Sequence, residues 1–184
     1  MQKIARSLAV LSFFLTLSAQ AEGGPGGPPV HPADGAIPPV TQADLAGTWT
    51  LVSVDNILPD GSRIQPYGPH PDGLLILDPQ GHYSVHIFRS GRAPFAAKDK
   101  AKGTPEEYRE AVQGSNTHFG RWSIAPAERI LTFRIDHALF PNWEGTEQRR
   151  AFELVGDRLR YSVNTTTTGG LEIGEVTWRR APKE

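Results

Sequence analysis

Residues 132–154, TFRIDHALFPNWEGTEQRRAFEL, gather many of the side chains that could do chemistry. His137 and Glu144 bracket Asn142 and Trp143. An imidazole near neutral pKa with a carboxylate close by is how a general acid–base site is built. On the strand before this stretch, Arg134 and Asp136 share one face, opposite Phe133, Ile135 and His137, because side chains alternate along a strand. On the strand after it, Arg149 and Arg150 point to opposite faces. Phe152 and Leu154 share the face of Arg150, which makes that face the inner one. A cation there needs a partner or a ligand, such as a carboxylate or an enolate. The competing account is structural. Pro141-Asn142 turns the chain, Phe140 and Trp143 cap one end of the domain, and an arginine meets Asp136 in a surface pair worth little.

His82 and His86 lie four apart in HYSVHIFRS. On a strand they share a face but stand about 13 Å from each other, too far to grip one metal ion. A polar exterior or a polar pocket wall is the better account of this face, and His86 is carried as a ligand-facing candidate. No nucleophile elbow, phosphate loop or H-E-x-x-H motif occurs. The chain has no cysteine, so disulfides and thiolate-bound zinc are excluded. No metal and no cofactor is expected.

The elements that must position these residues are short strands. Alternating or apolar runs occur at 48–55, 73–78, 82–90, 117–124, 128–137, 146–155, 157–163 and 171–180, divided by turn signals such as Pro79-Gln80-Gly81. About eight close-spaced strands indicate an antiparallel sandwich or barrel. One helix interrupts them near 104–113, with Thr104 as N-cap, Pro105 at the first position and Gly114 as terminator. Tyr108, Ala111 and Val112 give it a modest apolar stripe, suited to covering one end of a barrel.

The N-terminal residues read as a signal peptide over 1–21: Lys3 and Arg6, an apolar run at 8–17, and Ala19-Gln20-Ala21 as the cleavage site. A run of about 10 apolar residues is too short to span a bilayer. Residues 22–40, rich in Gly and Pro, read as a disordered linker, and 41–184 as the folded domain. These features predict a periplasmic or secreted protein without a membrane span. Nineteen basic residues stand against 20 acidic ones; without Lys3 and Arg6 the balance is 17 against 20, a net charge of −3. No nucleic-acid footprint is expected from such a balance.

The stretch Gly47-Thr48-Trp49 resembles the G-x-W opening of lipocalins. The wider pattern is similar to the lipocalin-like domain family of bacterial and fungal proteins over about 44–180: GTWTLVSV, PYGPHPDGLLILDPQGHYSV, the PEEY helix, LFPNWEGTEQRRAFEL, GDRLRYS and VTWRR. The resemblance implies an eight-stranded antiparallel up-and-down β-barrel with an internal pocket. It also implies a structural pair at the closed end, a first-strand Trp against a last-strand Arg, assigned to Trp49 and Arg179. The expected function is binding of a small, largely hydrophobic molecule by a monomer, with His86, Arg134, Asp136, His137, Trp143 and Arg150 as candidate ligand contacts and no residue assigned to catalysis. The alternative is a cofactor-free isomerase or cyclase that uses the cavity, with a His or Asp moving a proton and an Arg holding an oxyanion.

Overall fold

The computed structural model describes residues 39–164 and 173–182. The expected signal peptide and nearly all of the expected linker fall on 1–38, outside the described residues. A short helix, α1 (Gln42–Leu45), leads into β1 (Gly47–Ile57), the two-residue β2 (Arg63–Ile64), β3 (Asp72–Leu77) and β4 (His82–Phe88). The longer helix α2 (Pro105–Gln113) follows, then β5 (Ser115–Ala125), β6 (Ile130–Ala138), a 3-10 turn (Pro141–Trp143), β7 (Glu147–Val155), β8 (Arg158–Val163) and β9 (Ile173–Arg180).

All neighbouring strands pair antiparallel, and β1 also pairs with β9 from Trp49↔Arg180 to Ile57↔Ile173. That last pairing closes eight strands into a barrel and leaves β2 as a flap on the far end of β1. Closure removes the sheet edges and forces every strand to send alternate residues inward. On β4 the inward set is Tyr83, Val85 and Ile87; on β6 it is Leu131, Phe133 and Ile135. Helix α2 forms as its capping residues require. Thr104 Oγ1 accepts from Glu107 N at 3.2 Å, and Glu107 Oε2 accepts from Thr104 N at 2.7 Å. Its residues are not buried; Val112 is exposed at the rim of the barrel. No helix among the described residues is long and apolar enough to cross a membrane.

One end of the barrel is solid. Leu45, Trp49, Leu75, Leu77, Leu159 and Trp178 are fully buried there, and Trp49 Nε1 donates to the carbonyl of Leu45 at 3.0 Å. The arginine that completes this plug is Arg180, not Arg179. Its guanidinium lies 4.0 Å from the Trp49 ring centroid, donates to Ala46 O at 3.0 Å and reaches the carbonyl of Asp44. The reason is parity. Trp178 points inward on β9, so Arg179 must point out, where its Nε faces Asp157 at 3.6 Å. Arg180→Ala is therefore expected to cost about 2 kcal/mol, from a cation–π contact and a carbonyl acceptor left unpaired. Arg179→Ala should stay within about 0.5 kcal/mol of the parent. Urea denaturation of both variants checks this, and equal effects would contradict it.

Candidate functional site

The other half of the barrel is hollow. A cavity of ≈ 90 Å³ lies between Val54, Val85, Ile87, Val163 and Val176 on its apolar walls and Asn116, His118, Arg150 and Tyr161 on its polar side. A wider cavity of ≈ 610 Å³ adjoins it at the mouth, walled by Val112, Leu139 and Phe140. Pro66, Tyr67 and Asn116 line both and form the neck between them.

Arg150 reaches the inside because β7 alternates Gln148, Arg150 and Phe152 inward; it is 5% exposed. Its guanidinium lies 5.0 Å from the Tyr161 ring centroid and 5.4 Å from that of Phe133, and one terminal nitrogen donates to Gln148 Oε1. Its Nε is buried and has no hydrogen-bond partner. No carboxylate forms an ion pair with it among the described residues. Burial lowers its pKa, but an arginine of this kind keeps its proton.

No sequence motif marks His118, yet among the described residues it is the most perturbed imidazole. It is 6% exposed, and Tyr83 Oη lies 2.7 Å from its Nδ1. Burial, then the charge of Arg150, holds its pKa down to about 3. Burial pushes the Tyr83 phenol up, so this hydroxyl keeps its proton. That proton goes to Nδ1, its acceptor among the described residues, and the neutral ring then carries its own proton on Nε2. Two signals in the sequence bear on it: the alternation of THFGRWSI places His118, Gly120 and Trp122 on one face, and Trp122 is a core residue.

Of the other expected contacts, only Trp143 joins Arg150 at the cavity. The 3-10 turn tips its indole inward, edge-on to His118 with centroids 5.6 Å apart. His137 is exposed, contrary to its sequence parity. Strand β6 bulges at Asp136: Phe119 pairs with His137, but the next β5 residue, Gly120, pairs with Ile135. The extra residue flips the alternation and sends His137 outward, where Nδ1 meets Glu144 Oε1 at 3.4 Å. Gly120 permits the bulge, since a Cβ there would lie 2.1 Å from the carbonyl oxygen of Arg134. Arg134 and Asp136 are also exposed, because Phe133 and Ile135 take the inward positions. Asp136 meets neither flanking arginine; Arg149 pairs instead with Glu128 at 2.9 Å. His86 lies on the outer face, hydrogen-bonded to Ser84 Oγ at 2.8 Å, because Val85 and Ile87 fill the inner one. Among the described residues no three His, Asp or Glu side chains gather as a metal site requires.

The model of the lipocalin-like domain family matches residues 46–181. No curated protein matches the chain. Among solved structures, an uncharacterized protein from Bacteroides eggerthii is similar at 12% identity and a TM-score of 0.38, over 75% of this chain and all (100%) of that one. A mutant of the fluorescent protein UnaG is similar at 15% identity and a TM-score of 0.34, over 76% of this chain and 97% of that one.

Burial of neutral His118 makes stability depend on pH in a defined window. Its folded pKa of about 3 lies below the ordinary 6.5, so between these values the unfolded chain binds a proton that the folded chain refuses. Stability is fully present above 6.5 and is lost as pH falls. Going from pH 7 to pH 5 should cost about 2 kcal/mol. His118→Gln should remove most of that loss, as read by urea denaturation at the two pH values. A parent protein equally stable at both would contradict the burial of a neutral ring.

Proposed function

The chain belongs to the lipocalin-like domain family, and we propose that its barrel binds a small, largely apolar molecule, as a monomer. One observation carries this reading: the barrel's open half holds two adjoining cavities, the inner one walled by valines and Ile87 with a few polar groups, the outer one by Val112, Leu139 and Phe140 with Arg89, Gln113 and Ser115. Ligand sites of barrels have this composition, in which apolar walls supply affinity and sparse polar groups supply orientation. A proton-transferring enzyme gains no support from the same site. His118 lines the cavity, but burial, and then the neighbouring guanidinium, oppose its imidazolium form, so it is a poor proton acceptor in any catalytic cycle. His137 and Glu144 face away from the cavity.

The test is saturable binding of the neutral dye Nile red, followed by its fluorescence. The parent should bind one equivalent. Asn116→Trp, which fills the neck, should weaken binding at least about tenfold, the equivalent of ~1.4 kcal/mol, with an unchanged melting temperature. Dye binding that ignores this substitution, or no saturable binding by the parent, would contradict the reading.

We also propose that the protein acts outside the cytoplasm, in the periplasm or secreted, once 1–21 have been removed. The basic start, the apolar run at 8–17 and Ala19-Gln20-Ala21 support this. The intact mass of the chain isolated from its own source should correspond to a first residue at Glu22; a mass that retains Met1 would count against export.

A further inference from the structure

Arg150 is a permanent cation inside a barrel, and no carboxylate among the described residues neutralises it. Its wall is aromatic, its one hydrogen-bond acceptor is the neutral amide of Gln148, and its Nε is buried and unbonded. Such a group costs folding free energy, because the charge has left water without meeting an opposite one. The aromatic faces of Phe133 and Tyr161 return only part of that. Structural arginines in this protein are treated differently. Arg180, at the closed end, spends its donors on the carbonyls of Ala46 and Asp44, and Arg160, at the surface, meets Glu153 at 2.5 Å. Arg89, on the wall of the mouth cavity, meets Glu110 at 3.1 Å and donates to the carbonyl of Pro66 at 3.2 Å, whereas Arg150 borders the inner cavity with no carboxylate partner among the described residues.

We infer that the ligand of this barrel carries a carboxylate, which Arg150 receives at the inner end of the cavity while the apolar body extends past Tyr67 and Asn116 toward the mouth. The inference rests on the reading of the barrel as a small-molecule site and adds the ligand's charge and its direction of entry. A planar guanidinium fork matches a carboxylate in two parallel hydrogen bonds. The inner cavity of ≈ 90 Å³ suits a group of that size, and the 610 Å³ mouth suits the remainder. A phosphate, with its greater charge, would call for further cations. Among the described residues Arg150 is the one cation lining the inner cavity, since His118 stays neutral there.

The experiment compares two probes of equal chain length, octanoate and octan-1-ol, by isothermal titration calorimetry on the parent and on Arg150→Met. Octanoate should bind the parent at least about tenfold more tightly than octan-1-ol, as expected for a charge-assisted hydrogen bond in a dry site. Arg150→Met should lose that preference, with octan-1-ol binding little changed. The melting temperature of ligand-free Arg150→Met provides a readout that needs no probe. It should equal or exceed that of the parent, since a residue kept for a ligand is not kept for stability. Equal binding of both probes by the parent, or an undiminished preference in Arg150→Met, would overturn the carboxylate inference and leave the barrel reading standing. Failure of both probes to bind the parent would overturn the two together. A fall in melting temperature of about 5 °C or more would make Arg150 a structural group and overturn the inference on its own.

Discussion

A guanidinium that has left water without finding a carboxylate is the constraint around which the open half of this barrel is arranged. The several kcal/mol that such a charge costs are tolerable only where the rest of the fold has stability to spare. The closed end supplies it. Two tryptophans, Leu45 and the leucines of β3 are fully buried there, and Arg180 covers them, donating to the carbonyls of Ala46 and Asp44. The cation in turn sets the chemistry of its neighbours. It helps keep His118 unprotonated, and it faces the rings of Phe133 and Tyr161. An inner cavity with one fixed positive charge among its described lining, a neutral imidazole and protonated phenols offers donors to a ligand and little basicity.

The two halves follow from one strand pattern. Strands β4, β6 and β8 each pack large side chains at the closed end. Near the open end Val85 and Ile87 on β4, Val163 on β8 and Val176 on β9 leave space that a loop rather than a strand closes. That loop is 138–146, whose 3-10 turn brings Trp143 against His118 and whose Glu144 accepts from Ala138 N at 3.2 Å. The stretch that concentrates reactive residue types in the sequence is thus a rim of the cavity. Its indole faces inward and its His–Glu pair faces the solvent.

Much of this was legible in the residues, and the failures share a cause. Strand periodicity and helix punctuation located the eight barrel strands and α2, because alternation and capping are local properties. Phe152 and Leu154 marked the inner face of β7 and so assigned Arg150 to it correctly. Parity misassigned His137 because it presumes an unbroken ladder, and the bulge at Asp136 is set by a cross-strand fit at Gly120 that no local pattern on β6 reveals. The resemblance to lipocalins points to a basic residue after Trp178 without saying which, and the inward Trp178 puts Arg180, not Arg179, on the inner side. Nothing local marks His118, because a lone histidine in a strand has no pattern of its own. Its partners Tyr83 and Trp143 are 35 residues before it and 25 after it, and only barrel closure brings the three together.

The central claim is that this barrel carries an acid on Arg150. The direct measurement is native mass spectrometry of the protein purified from its own source, followed by the same experiment under denaturing conditions. The account predicts a single chain with one bound small molecule that is released on unfolding and detected as a carboxylate. A chain that is consistently empty, or that carries a ligand without an acidic group, would contradict it.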